Sequence, residues 1–274
     1  MFKRAYVEIT NVCNLNCSFC PGTKRTPAFM SPEQFRTVVE RVRPHTEYLY
    51  LHLMGEPLLH PDLEKILEIA HGYGFSVNLT TNGTLLPQVK KILLRAEGIR
   101  KVSVSLHSFE GNGGGDMRDY LAGVWAFAER FHGITALRLW NAGGEDKRNG
   151  EIFSFLSEAL GTDVASLPEQ NGNRKLNDGL YLERAEKFDW PSLDAKEQDV
   201  TFCYGLGTQF GVLVDGTVVP CCLDCDGNIP LGNLFDSTLD EILSSPRAAA
   251  FRQGISAHKP SEELCRKCGF ATRF

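Results

Sequence analysis

Hydrophobic positions in the first half of the chain fall into two alternating patterns. Short apolar runs with strand character are YVEIT from Tyr6, YLYLHLM from Tyr48, SVNLTTN from Ser76, KVSVSLH from Lys101 and ITALRLW from Ile134. Between them lie longer stretches whose apolar residues recur at helical spacing. Ser31-Pro32-Glu33-Gln34 reads as a helix start, with serine as cap, proline at the first helical position and glutamine in the capping-box place. That helix is expected to run into Val42. DLEKILEIAHGYG predicts a helix ending in glycines, and PQVKKILLRA and RDYLAGVWAFAERF predict two more. Strand-then-helix repetition is the pattern of a parallel sheet with helices outside, and its crossovers are nearly always right-handed. Five or six such units curl into an α/β fold, an open partial (β/α)6 barrel whose strand C-terminal ends share one mouth.

The second half is less regular. Two Gly-rich stretches, 110–116 and 141–150, read as loops above the mouth and as candidates for a substrate lid; neither is a dinucleotide fingerprint, and GNGGG is more simply a flexible connection. EIFSFLSEAL predicts a short helix. Residues 162–200 are polar and broken by Gly, Asn and Pro, and read as a bridge. QFGVLVDGTVVPCC then predicts a hairpin, with Asp215-Gly216 supplying the positive φ angles of a tight turn. In GNLFDSTLDEIL, Leu239, Ile242 and Leu243 form the inner face of a packing helix. The expected organisation is a barrel with its bridge over 1–199 and a small C-terminal domain over 200–274.

Composition narrows the partners. The 274 residues are 42% hydrophobic and 23% charged, which suits a globular chain with a sizeable core. A formal charge of -5 and the lack of a basic stripe disfavour nucleic acid. No apolar run of about 18 residues and no signal core appears, so no membrane partner and a cytoplasmic location are expected. Nine cysteines with short spacings then argue for metal ligation in a reducing compartment.

Cys13, Cys17 and Cys20 carry the most information. Their spacing in CNLNCSFC places three thiolates on one loop, enough for three corners of a cubane iron-sulfur cluster, with one iron left open. Zinc would want a fourth ligand that this loop does not offer.

The run resembles the C-x3-C-x-aromatic-C signature of the radical S-adenosylmethionine (SAM) enzymes, with Phe19 in the aromatic place. Met54-Gly55-Glu56-Pro57 is similar to the family's GGEP element, with Met54 replacing the first glycine. The resemblance implies that Gly55, Glu56 and Pro57 receive the SAM amino group and that Glu56 contacts it. It also implies that the strand ends at Asn82 and Ser105 touch the cofactor, Ser105 at its carboxylate or ribose. Arg138 is either a further contact or a barrel-lining residue.

In the tail, Cys203, twelve residues, Gly216, four residues and Cys221 fit the opening of the SPASM extension, and Cys265 and Cys268 follow as C-x2-C. This resembles the shorter twitch version, in which four thiolates complete one auxiliary 4Fe-4S cluster; by spacing alone a structural zinc would lead. Because successive strand residues face opposite sides, Cys221 and Cys222 are not expected to ligate one cluster, and Cys222 and Cys225 are left over. The family chemistry implied is reductive cleavage of SAM to a 5'-deoxyadenosyl radical. The electron comes from a donor such as flavodoxin or ferredoxin, and hydrogen is abstracted from a small-molecule or peptide substrate. A fully ligated second cluster suits a two-electron oxidation, as in twitch-type amino-cyclitol dehydrogenases and anaerobic sulfatase-maturating enzymes. Asp224 or Asp226 would take the proton, unless both are solvated turn formers. The alternatives are a peptide maturase, an epimerase, or a non-catalytic iron-sulfur or zinc protein.

Overall fold

The computed structural model describes residues 1–112, 115–144 and 146–273. Gly113, Gly114 and Glu145, on which the lid expectation for the two Gly-rich stretches turns, lie outside the described residues. The elements of the first half are β1 (Arg4–Val7), α1 (Pro32–Val42), β2 (Tyr48–Tyr50), α2 (Leu63–Gly72), β3 (Ser76–Thr81), α3 (Leu86–Arg95), β4 (Ile99–Ser105), α4 (His107–Glu110), α5 (Met117–Ala128), β5 (Ile134–Ala142) and α6 (Asn149–Leu160). The capping box at Ser31 and Gln34 forms as expected, with both reciprocal hydrogen bonds present. The second strand is shorter than its apolar run: the ladder ends at Tyr50, and Leu51–Met54 continue as buried irregular chain.

The supposed bridge contains β6 (Glu169–Gln170), β7 (Asn173–Asn177) and β8 (Leu180–Glu186). This corrects the reading from sequence, because β8 pairs in parallel with β5 and is the sixth barrel strand. Its pattern is hidden by Glu183, which points inward to meet Lys101 at 2.6 Å and Arg138 at 3.1 Å; an inward charge pair reads as loop polarity when the partners are distant in sequence.

The tail supplies β9 (Gln209–Val212), β10 (Thr217–Val219), β11 (Gly232–Asn233), α7 (Leu239–Leu243), α8 (Pro246–Ser256) and α9 (Glu263–Arg266). Its turn is looser than expected. Gly216 takes φ +85° but Asp215 does not enter the left-handed region, and the Leu213 N–H reaches the Thr217 carbonyl at 2.8 Å across a three-residue loop. Cys221 and Cys222 follow β10 rather than lying within it. The sheet order is β11-β10-β9-β1-β2-β3-β4-β5-β8-β7-β6, open at both ends, so the tail hairpin continues the barrel sheet by pairing β9 in parallel with β1. Leu49, Val77, Leu79, Val102, Val104 and Leu137 are buried on the central strands, and α1, α2, α3 and α5 cover them with Phe35, Ile66, Leu86 and Phe127. Among the described residues, no helix is long and apolar enough to cross a membrane.

Candidate active site between two cysteine sets

Cys13, Cys17 and Cys20 lie on the loop after β1. The end of β3 and the turn after α4 hold that loop through its backbone and asparagines: the Asn82 amide donates to Asn14 at 2.9 Å, the Asn16 N–H to the Asn112 side chain at 2.7 Å, and the Ser18 N–H to the Gly111 carbonyl at 3.1 Å. The sulfurs themselves make few contacts. Asn112 donates to the Cys17 sulfur at 3.1 Å, and the Leu15 N–H to the Cys13 sulfur at 3.5 Å. Burial pushes the Cys17 thiol up to about 11 and raises those of Cys13 and Cys20, so no local cation pre-ionises the set. Three half-accessible thiols on one pinned loop suit a cluster whose iron displaces their protons. The ring of Phe19 packs on His107, centroids 4.9 Å apart.

Gly55 sits at φ +76°, and a side chain there would run into the Thr10 carbonyl and the Asn11 backbone. Glu56 is 2% exposed. Its carboxylate accepts from the Thr81 hydroxyl and the Asn82 N–H at 2.7 Å each, and from the Leu58 N–H at 3.0 Å. It therefore pins the Met54–Pro57 turn to the end of β3, and Pro57 opens the short turn that follows. Burial raises its pKa to about 7 against the pull of those three donors. Arg138 projects into the barrel, paired with Glu183, 3.3 Å from the Thr80 hydroxyl and stacked over Trp140 at 4.5 Å.

A cavity of about 490 Å³ runs from Phe19 on the cluster loop, past His52, Thr80, His107 and Trp140, to Arg4, Gln209 and Cys222. Of the seven cofactor contacts expected from sequence, Phe19 lines it, whereas Gly55, Glu56, Pro57, Asn82, Ser105 and Arg138 do not. His52 and His107, which no sequence motif singles out, also line it, the first within and the second at the end of an apolar run. Burial, with Arg138 nearby, pushes His52 down to about 3, and burial lowers His107 to about 4.

Cys203, Cys221, Cys265 and Cys268 border a second, smaller cavity walled by Val200, Ile229, Phe251 and Leu264. Among the described residues no three His, Cys, Asp or Glu side chains gather closely enough to hold a single metal ion. Tyr204, Gln209, Leu223 and Phe270 line both cavities. Cys222 faces the large cavity, and Cys225 is packed with Leu53, Leu213 and Val219.

Neither Asp224 nor Asp226 borders the large cavity. Asp224, 1% exposed, accepts from the Asn228 and Ile229 N–H groups at 2.8 Å and so shapes its own turn. Asp226 accepts from the Thr23 hydroxyl and the Lys24 N–H, both at 2.8 Å, tying the cluster loop to the tail. A deeper tie lies beside it. The wholly buried Glu8 carboxylate forms a bidentate pair with Arg25 at 2.6 and 2.8 Å and also accepts from the N–H groups of Met54, at 3.2 Å, and Val214, at 3.0 Å. One side chain thus joins β1, the cluster loop, the Met54–Pro57 turn and the tail hairpin. Glu8→Ala strands a buried guanidinium and two N–H groups, so urea unfolding is expected to show a loss of about 3–5 kcal/mol; a loss below about 1 kcal/mol would mean water replaces the carboxylate.

Family models match residues 7–146 as the radical SAM superfamily and residues 203–269 as the SPASM iron-sulfur cluster-binding domain. The chain is 33% identical over 135 residues to an AdoMet-dependent heme synthase of Methanosarcina barkeri, a match covering 48% of this chain but only 38% of that protein. It is 21% identical over 276 residues to the S-adenosyl-L-methionine-dependent 2-deoxy-scyllo-inosamine dehydrogenase of Niallia circulans, covering 98% of this chain and 93% of that one. Among solved structures, Streptococcus suis SuiB bound to precursor peptide SuiA superposes with a TM-score of 0.64 at 18% identity, covering 98% of this chain and 70% of that one.

Proposed function

The chain belongs to the radical SAM superfamily and carries a SPASM iron-sulfur domain, and from that premise we propose that it dehydrogenates a small molecule or a single peptide side chain. In this reading Cys13, Cys17 and Cys20 hold the SAM-binding cluster within 1–199, and Cys203, Cys221, Cys265 and Cys268 hold the auxiliary cluster within 200–274. When bound, SAM and the two clusters supply a 5'-deoxyadenosyl radical and a one-electron sink, primed by a donor such as flavodoxin or ferredoxin. The chain supplies placement and dryness. Phe19, Trp140, Phe188, Trp190 and Phe270 exclude water around the reacting carbon. The observation that supports oxidation is the wall shared by the two cavities at Tyr204, Gln209, Leu223 and Phe270, which sets a substrate beside the four tail thiols. The positions of Asp224 and Asp226 argue for a proton acceptor other than these two carboxylates. Mass analysis of the product from holoprotein tests the reading: a product two hydrogens lighter than substrate is expected, and an isomer would favour epimerisation instead.

The Met54–Pro57 turn is assigned to the SAM amino group, with Glu56 shaping the turn and biasing its charge. A cationic cofactor beside a carboxyl whose pKa burial has raised to about 7 favours the ionised form. Binding then releases a proton, so SAM affinity is expected to rise by up to about tenfold from about pH 6 to about pH 8. Calorimetric titration should show that slope flattened in Glu56→Gln with iron content unchanged; identical slopes in the two proteins would remove Glu56 from the cofactor site.

A further inference from the structure

The large cavity is lopsided in charge. Among the described residues its wall contains no Asp or Glu, yet Arg4 and Lys187 both border it. His52 and His107 add no positive charge near neutral pH, so the cationic character comes from those two side chains. Arg4 stands at the end away from the three-cysteine loop. It opens β1 opposite Gln209 of β9, and Tyr6, two residues along the strand, faces the same space. The groups acting on its guanidinium are Tyr6, Tyr50 and Cys222, none of them a carboxylate. Elsewhere in the barrel Lys101 and Arg138 share the one carboxylate of Glu183, and neither borders this cavity. The rest of the wall is rich in rings, with Tyr6, Trp140, Phe188, Trp190, Tyr204 and Phe270 offering faces on which a planar or cyclic body can stack.

We infer that the substrate is a small oxyanion-bearing molecule with a ring or apolar body, and that Arg4 receives its carboxylate or phosphate. The inference rests on reading this cavity as the substrate site of the proposed reaction. A guanidinium without a carboxylate partner offers a two-pronged, charge-assisted contact to an oxyanion. An amine-bearing substrate would find no carboxylate on the described wall and would be repelled by Arg4. The anchor also orients the molecule: with its anion near Cys222 and Gln209, its body extends toward Phe19, where hydrogen abstraction takes place.

The test is binding to holoprotein with both clusters and SAM in place, measured calorimetrically with 3-phenylpropionate, benzyl phosphate and 3-phenylpropylamine. At least one anion is expected to bind at millimolar concentration or tighter, at least about tenfold better than the amine, and the ratio of the two anions distinguishes carboxylate from phosphate. Arg4→Gln should erase the preference for anions, Arg4→Lys should retain part of it, and neither should alter SAM affinity. Binding of the amine as tight as the anions, no anion binding at about 10 mM, or an unchanged preference in Arg4→Gln would each overturn the assignment. So would a loss of SAM affinity in Arg4→Gln, which would give Arg4 to the cofactor's own carboxylate. No turnover is involved, so an isomeric product would sink the oxidation while leaving this selectivity standing, and the reverse also holds.

Discussion

Replacing Cys13, Cys17 and Cys20 together with alanine is expected to remove about four irons from the reconstituted protein and to abolish formation of 5'-deoxyadenosine. The effect should be complete because the cubane loses every protein corner, and the open iron that would bind SAM disappears with it. The loop is held by Asn14, Asn16 and Ser18 bonding to Asn82, Asn112 and Gly111, contacts that leave the sulfurs out. Circular dichroism and the urea midpoint should therefore stay close to those of the parent. Undiminished 5'-deoxyadenosine from the triple variant would end the assignment of this loop.

Cys265→Ala with Cys268→Ala should separate the two halves of the reaction. The first cluster and its cavity wall are untouched, so about four irons remain and SAM is still cleaved. Oxidised product should fall by about a hundredfold or more, because the substrate radical has lost its electron acceptor. Cleavage would then run uncoupled, with hydrogen returned to substrate or taken from solvent. Product formation at the parent rate would show that the tail site is not the acceptor. Metal analysis of the parent adds a second decision, since zinc in place of the second set of irons would make the tail structural.

Local chemistry made much of this molecule legible in its sequence. The cluster loop, the Ser31 capping box and the tail cysteines are short-range patterns whose meaning does not depend on distant residues. Cys203, Cys221, Cys265 and Cys268 border one cavity and Cys222 the other, although Cys221 and Cys222 lie beyond the strand whose alternation was expected to separate them. What could not be read depends on partners far along the chain. Glu183 made β8 look like a loop because Lys101 and Arg138, its reasons for pointing inward, lie 82 and 45 residues away. Asp226 looked like a free acid beside a cluster, yet Thr23, 203 residues earlier, had already claimed it. Glu8 gave no signal in YVEIT, where an acid in an apolar strand reads as the solvent face; only Arg25 and the Met54 and Val214 N–H groups explain its burial.

The β1–β9 ladder carries a consequence for how the chain assembles. β1 is synthesised first, but one of its two neighbours is β9, roughly two hundred residues later, and the cluster loop is fastened to Cys225 and Asp226 later still. Contacts of such sequence separation form late, because the long loop must be closed before they repay its entropy. During synthesis one edge of β1 therefore stays bare until the last quarter of the chain has emerged. That interval is when the uncovered strand is most exposed to pairing with another nascent chain.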